Sequence, residues 1–212
     1  MTTFKIYAFF MVLFLAQALV YAKPLQDTFH FFDTSEEEIK IRENPTPKQQ
    51  LLLYTFDNFV YLGKHYGDNA VEVSRHILKD DSLVGNDKPE VLQFKKNLIQ
   101  FMENYECNSN PQLMWDYIDV YSDLTEKYAH ITDDNVTPES SYISELLKKY
   151  NARDIAIKFA NEFQMFMDNF VNMFEANKEH LKKPMLDWYE KFKTLTDFED
   201  KLDSFTGFLE LN

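Results

Sequence analysis

Two glutamate–histidine pairs have a spacing that could support metal chemistry. Glu72 and His76, and likewise Glu126 and His130, lie four residues apart, which places each pair on one face of a helix. Two such pairs would have to converge to bind a metal ion, and neither has the HExxH or Glu-x-x-His spacing of helical metal enzymes. We therefore interpret both pairs as surface contacts and predict no metal site and no cofactor.

The segment 80–91 partly matches a calcium-binding EF-hand loop. Asp80, Ser82 and Gly85 occupy the first, third and sixth positions of that loop. Val84 stands at the fifth position and Val91 at the twelfth, where a bidentate glutamate is required. We reject this calcium site.

Known catalytic motifs are missing from the chain. It contains neither of the glycine-rich phosphate-binding patterns nor the GxSxG motif that positions a serine nucleophile. The single cysteine, Cys107, lies in YECNSNP, which is unlike the cysteine-protease signatures. We predict that the protein is not an enzyme. Two interpretations of Cys107 stay open: a free thiol near a helix end, or an intermolecular disulfide that would join two copies of the chain.

The first 22 residues have the pattern of a secretory signal peptide. Lys5 precedes an apolar run over 6–19, and Val20 and Ala22 supply small residues at a cleavage site. The run is shorter than the roughly 20 residues that a membrane-spanning helix needs. The sequence therefore predicts a secreted protein without a membrane span in the mature chain.

The charge of the chain limits its partners. The formal net charge is −13, and it becomes −14 when Lys5 is removed with the signal peptide. Nucleic acids and anionic membranes attract basic surfaces, so neither is a predicted partner. The acidity serves solubility or attracts a basic protein partner, and the sequence leaves both readings open.

Residues 23–45 are predicted to form a flexible acidic arm ahead of one helical domain over 46–212. The arm carries an aromatic cluster at 28–32, an acidic run at 35–38 and a chain break at Asn44 and Pro45. Later in the chain, Asn135 begins the sequon Asn-Val-Thr, a candidate N-glycosylation site. Pro138 directly follows that sequon and weakens it.

The rest of the chain repeats a helix-start signal followed by apolar residues at helical spacing. Five of the seven prolines stand at a predicted helix start, where a missing backbone N–H costs nothing: Pro47, Pro89, Pro111, Pro138 and Pro184. Thr46 and Gln49 form a capping box for the first helix. That helix is expected to weaken at Gly63 and Gly67, and a second one to start after Asn69. About seven helices and no strands are predicted, which is an all-α multi-helix bundle without disulfides.

A stripe of phenylalanines marks the central helix. Its members fall at helical spacing on one face, and they are the candidate core or apolar ligand-binding residues: Phe159, Phe163, Phe166, Met167, Phe170 and Phe174. A final helix over 185–205 carries a matching aromatic stripe. The two helices are predicted to pack as an antiparallel hairpin, with Phe174 near Trp188 and Phe163 nearer Phe198.

Two functions fit these features. The first is a secreted, non-enzymatic protein that acts by protein–protein interaction outside the cell that made it. The alternative is a carrier that holds a small apolar ligand or lipid in its helical interior, because methionine and phenylalanine line pockets of that kind.

Overall fold

The computed structural model describes residues 42–107, 111–129, 136–209 and 211. These residues form seven α-helices and two short 3-10 helices, and no strand occurs among them. The α-helices in chain order are α1 (Pro47–Leu78), α2 (Pro89–Cys107), α3 (Pro111–Ala129), α4 (Pro138–Lys149), α5 (Ala152–Asn177), α6 (Lys183–Phe192) and α7 (Phe198–Leu209). The 3-10 helices are Asp81–Leu83 and Lys178–His180. The predicted all-α fold with about seven helices is confirmed.

Several predicted features lie outside the described residues. They are the signal peptide over 1–22, most of the acidic arm, His130 and the sequon at Asn135. At the described end of the arm, the Arg42 guanidinium donates to both carboxylate oxygens of Asp57, at 3.1 and 3.3 Å. The predicted boundaries 1–22, 23–45 and 46–212 stay predictions.

The predicted helix starts at Thr46 and Thr137 are confirmed by their cap geometry. The Thr46 amide donates to the Gln49 side chain at 2.9 Å, and the Gln49 amide donates back to the Thr46 hydroxyl at 3.4 Å. Thr137 caps α4 in the same reciprocal way with Ser140. Each exchange satisfies backbone N–H groups that have no partner within the helix.

The first helix does not end after the predicted weakening at Gly63 and Gly67, because α1 continues through both glycines and is 32 residues long. Asn69 does not start a helix: its side-chain amide donates to the His65 carbonyl oxygen, one turn earlier in α1. The glycines instead make room for side chains of other helices. A Cβ atom on Gly67 would lie under 3.0 Å from the ring of Tyr105, which packs across the backbone there.

We expect Gly63→Ala to destabilise the protein despite the better helix propensity of alanine. The added Cβ would lie 2.5 Å from Met114 Cε and 2.7 Å from the buried ring of Trp115. Overpacking of this kind costs about 1–3 kcal/mol, against a gain of about 1 kcal/mol for replacing a helical glycine. Urea unfolding of the variant should show the net loss.

Gly207→Ala in α7 is the matched control for Gly63→Ala. A Cβ atom there has no neighbour within 4 Å, so this substitution should stabilise the protein by up to about 1 kcal/mol. If both alanine variants were stabilised equally, the close approach at Gly63 would be refuted.

The predicted final helix over 185–205 is also wrong in its extent, because it is divided into α6 and α7. The Thr194 amide bonds to the Lys191 carbonyl, and the Thr194 hydroxyl donates to the same oxygen at 2.7 Å, so the last turn of α6 tightens and ends. The Asp197 carboxylate then accepts the Asp200 amide at 3.3 Å and caps α7.

The helices group into two compact units. Of the described residues, one unit contains those up to Phe59 and from Phe166 onward, and the other contains those from Val60 to Met165. We call them unit 1 and unit 2. The helices α1 and α5 contribute residues to both units, whereas α6 and α7 belong to unit 1 and α2, α3 and α4 belong to unit 2.

The core of unit 1 consists largely of aromatic rings. Phe170 is fully buried, and its ring centroid lies 5.7 Å from that of Trp188, 4.9 Å from Phe205 and 5.0 Å from Phe208. The Trp188 indole N–H donates to the Ser204 carbonyl at 2.9 Å, which joins α6 to α7. These contacts bury large apolar surfaces while the one indole donor remains satisfied.

The predicted hairpin contact between Phe174 and Trp188 is confirmed, with ring centroids 6.2 Å apart. Phe174 also stacks on Tyr189, the next residue of α6, at 4.1 Å. The predicted proximity of Phe163 and Phe198 stays a prediction.

In unit 2, the helices α2, α3 and α4 each contact the other two. Rings also fill the space between them: Phe101 of α2 lies 4.9 Å from Tyr121 of α3, and Phe94 lies 5.6 Å from Tyr128. All four of these side chains are buried. Unit 2 is therefore also held by packing.

Candidate functional site

The phenylalanine stripe lies on α5 and is largely buried. Phe163, Phe170 and Phe174 are fully buried, and Phe166 and Met167 are almost so. The division between units falls within the stripe, since Phe163 belongs to unit 2 and Phe166 to unit 1. In unit 1, Phe166 contacts Tyr54 and Phe59 of α1 at ring distances of 5.6 and 5.3 Å.

In unit 2, the stripe residue Phe159 contacts two other helices. It is partly buried, and its ring lies 5.7 Å from that of Tyr66 in α1 and 6.1 Å from that of Trp115 in α3. The stripe thus packs against aromatic side chains of other helices in both units. The carrier function that the stripe suggested stays a prediction.

A histidine-centred cluster joins α1 to α5 within unit 2. His65 Nδ1 lies 2.9 Å from Glu162 Oε2, and His65 Nε2 lies 2.9 Å from Lys158 Nζ. A lysine ammonium has only donors, so Nε2 must accept from Lys158 and Nδ1–H must donate to Glu162. Both ring nitrogens of the imidazole are therefore engaged in this arrangement.

Two large apolar side chains are exposed beside this cluster. Tyr61 of α1 is 55% exposed, and its ring lies 5.5 Å from the His65 ring. Met165 of α5 is 65% exposed and lies one turn from Glu162, on the same helix. We call Tyr61, His65, Lys158, Glu162 and Met165 the Tyr61–Met165 surface.

Sequence reasoning missed this surface. His65 and Glu162 are separated by 97 positions, and no local spacing rule links them. The signal in the sequence was the position of Met165, an apolar residue that falls beside the phenylalanine stripe without belonging to it.

Of the two glutamate–histidine pairs in the sequence, Glu72 and His76 lie within the described residues, whereas His130 does not. The His76 ring stacks on Tyr150, with ring centroids 6.2 Å apart. Within the described ranges, no three histidine, cysteine, aspartate or glutamate side chains converge in a way that could hold a metal ion.

Asp80, from the rejected calcium loop, is a buried structural anchor. Its Oδ1 accepts the Ser82 amide at 2.8 Å and the Ser82 hydroxyl at 2.6 Å. Its Oδ2 accepts Lys149 Nζ at 2.5 Å and the Tyr150 hydroxyl at 2.8 Å. These donors hold the pKa of Asp80 well below its usual range, with the Lys149 contact contributing most. Each oxygen of the carboxylate therefore accepts two hydrogen bonds from groups of the protein itself.

Gly85, another position of that loop, has a positive φ of 76°, which favours glycine. The residues that resembled a calcium loop thus form a turn between α1 and α2.

Cys107 is the last residue of α2 and is an exposed free thiol. Its predicted place near a helix end is confirmed. The intermolecular disulfide stays a prediction.

The structure defines this chain as an all-α protein whose units are held by aromatic packing. In comparisons with known proteins, no protein-family model, no curated protein and no solved structure matches it. None of the described helices combines the length and the apolar character needed to cross a bilayer.

Proposed function

We propose that the protein is secreted, is not an enzyme, and acts by binding another protein through the Tyr61–Met165 surface. The observation that carries this proposal is the exposure of Tyr61 and Met165 beside a hydrogen-bonded polar cluster. Tyrosine and methionine are enriched in protein interfaces, where polar groups at the rim fix orientation. The His65 cluster already holds its polar side chains in one geometry, which lowers the entropic cost of binding.

We propose a partner with a basic surface. The net charge of −13 favours approach of a positively charged protein and disfavours nucleic acids. Electrostatic attraction of this kind mainly speeds association and weakens as salt rises. The apolar contacts at Tyr61 and Met165 would then slow the dissociation of the complex.

The proposal is tested by immobilising the mature protein and capturing proteins from the fluid that receives it. We expect one basic protein to be retained at about 50 mM salt and retained less at about 500 mM, where the Debye length is several-fold shorter. The double variant Tyr61→Asp/Met165→Asp should lose at least about tenfold in affinity, because charges placed in the apolar part of an interface are costly.

The matched control is Val84→Asp, which changes an apolar side chain that is 75% exposed in the turn before α2. It should retain the same partner with unchanged affinity. Equal loss in both variants, or equal retention in both, would exclude the Tyr61–Met165 surface as the binding site. If no basic protein is retained by the unmodified chain, the proposed function itself fails.

A further inference from the structure

The feature that carries a further inference is Asp119, on α3 in unit 2. The residue is partly buried, and its Oδ2 atom is buried without a hydrogen-bond partner among the described residues. The hydroxyl of Tyr121, in the same helix, is likewise buried and unpartnered within the described part of the chain. Buried polar atoms normally have a partner, and an ionised carboxylate without one is costly.

The charges nearest Asp119 are of the same sign. Asp116 and Asp123 lie three residues before it and four residues after it, which places all three carboxylates along one helix face. Both neighbours act electrostatically on Asp119. The negative charges of Asp116 and Asp123 therefore disfavour the ionised form of Asp119.

The other helices bring no described cation to this carboxylate. From α1, the Tyr66 hydroxyl forms a hydrogen bond with the Ser122 side chain. Burial, and then the charges of Glu126 and Asp119, raise the pKa of Tyr66. From α5, the apolar ring of Phe159 packs on Tyr66.

One described charged contact between α2 and α3 lies away from Asp119. It joins Glu90 to Lys127 at 3.7 Å, two turns further along α3 than Asp119. The neighbours described near Asp119 on α1 and α5 are thus aromatic rings and a hydroxyl group. Such surroundings favour the neutral form of a carboxylic acid over the ionised form.

We propose that Asp119 is a proton switch within unit 2, in which the neutral acid keeps α3 packed on α1 and its ionisation weakens that packing. The step is a simple proton transfer: solvent gives a proton to the carboxylate in one direction and takes it back in the other.

The direction of the pH effect follows from the two states of the protein. Burial, and next the charges of Asp123 and Asp116, raise the pKa of Asp119 to about 7 in the folded chain. In the unfolded chain an aspartate has a pKa of about 3.9. The folded state therefore binds this proton more tightly, so the stability of unit 2 is highest below about pH 4 for this group and falls as the pH rises towards 7.

The test is amide hydrogen exchange of α3 at about pH 5 and about pH 7.5, corrected for the intrinsic exchange rate. In the unmodified protein we expect the protection factors of α3 amides to fall by at least about tenfold at the higher pH. A tenfold change is the effect expected from a pKa difference of about one unit between the folded and the open state. Asp119→Asn has the same shape and no charge, so its α3 should show the same protection at both pH values.

Asp123→Asn is the control, because that side chain is exposed on the same helix. It should keep most of the pH dependence of the unmodified protein. If Asp119→Asn keeps the same pH dependence as the unmodified chain, the switch is refuted.

A second measurement does not depend on any variant. Carboxyl-carbon NMR of the unmodified protein should show the Asp119 signal titrating near pH 7. Titration near the ordinary value of about 3.9 would overturn the proposal.

Discussion

Phe166→Ala is expected to lower the free energy of unfolding by about 3–5 kcal/mol, as truncations of core phenylalanines do. The Phe166 ring is only 2% exposed and lies 4.9 Å from the Phe205 ring of α7 and 5.3 Å from the Phe59 ring of α1. The substitution therefore removes contacts to two other helices of unit 1 and leaves a cavity between them. Urea unfolding monitored by circular dichroism measures the change.

Met165→Ala is the matched control, one residue earlier on α5. This side chain is 65% exposed, so its truncation should change the free energy of unfolding by less than about 0.5 kcal/mol. If Phe166→Ala also cost less than about 1 kcal/mol, the phenylalanine stripe would not be a packed core. Saturable binding of a fluorescent fatty acid would then support the carrier function.

Asp80→Ala is the second substitution with a large expected effect. It would leave the Lys149 ammonium and the Tyr150 hydroxyl without their shared acceptor and would remove the cap of Ser82. Asp80 is the buried member of this network, whereas the Lys149 side chain is 60% exposed, so the cost comes chiefly from the hydrogen bonds that the carboxylate accepts. We expect the melting temperature to fall by about 5 °C or more at pH 7, since each kcal/mol shifts it by about 2–4 °C in a chain of this size.

Acid should abolish the advantage of Asp80. Its folded pKa is lowered by Lys149, Ser82 and Tyr150, so its contribution is complete above the unfolded pKa of about 3.9 and is lost as the pH falls below that value. The melting temperatures of the unmodified protein and of Asp80→Ala should therefore begin to converge below about pH 4 and continue to converge as the pH falls towards the lowered folded pKa of Asp80.

Tyr142→Phe provides a comparison at the edge of the Asp80 network. The Tyr142 hydroxyl lies 2.9 Å from the Ser82 hydroxyl and makes an exposed contact, so its loss should shift the melting temperature by no more than about 1–2 °C. If Asp80→Ala were as mild as Tyr142→Phe, Asp80 would not anchor the turn between α1 and α2.

Local signals in the sequence predicted most of the fold. The capping residues Thr46 and Thr137 and the helix-start prolines act within one turn, and the structure confirms them. The wrong helix boundaries arose where tertiary contacts or a capping residue without a clear sequence signal determined where a helix ends. Gly63 lies within a continuous helix and leaves room for Trp115, which approaches its backbone from α3, and a sequence does not reveal that approach. Asp197 is a capping residue that the aromatic stripe of the predicted final helix obscured.

The candidate site was less predictable than the fold. Asp80 drew attention through local spacing, but its role depends on Lys149 and Tyr150, about 70 positions later in the chain. The pairing of His65 with Glu162 likewise depends on how α1 meets α5. Contacts between distant positions follow from packing, and periodicity predicts only which face of a helix takes part in it.

The positions of the two tryptophans give the protein two built-in fluorescent probes. Trp115 lies in unit 2 and Trp188 in unit 1, and both are buried. Trp115→Phe and Trp188→Phe would each leave a single emitter whose spectrum shifts to the red when its own unit opens to water. Denaturant curves of the two variants would then show directly whether the units lose their structure at one concentration or at two.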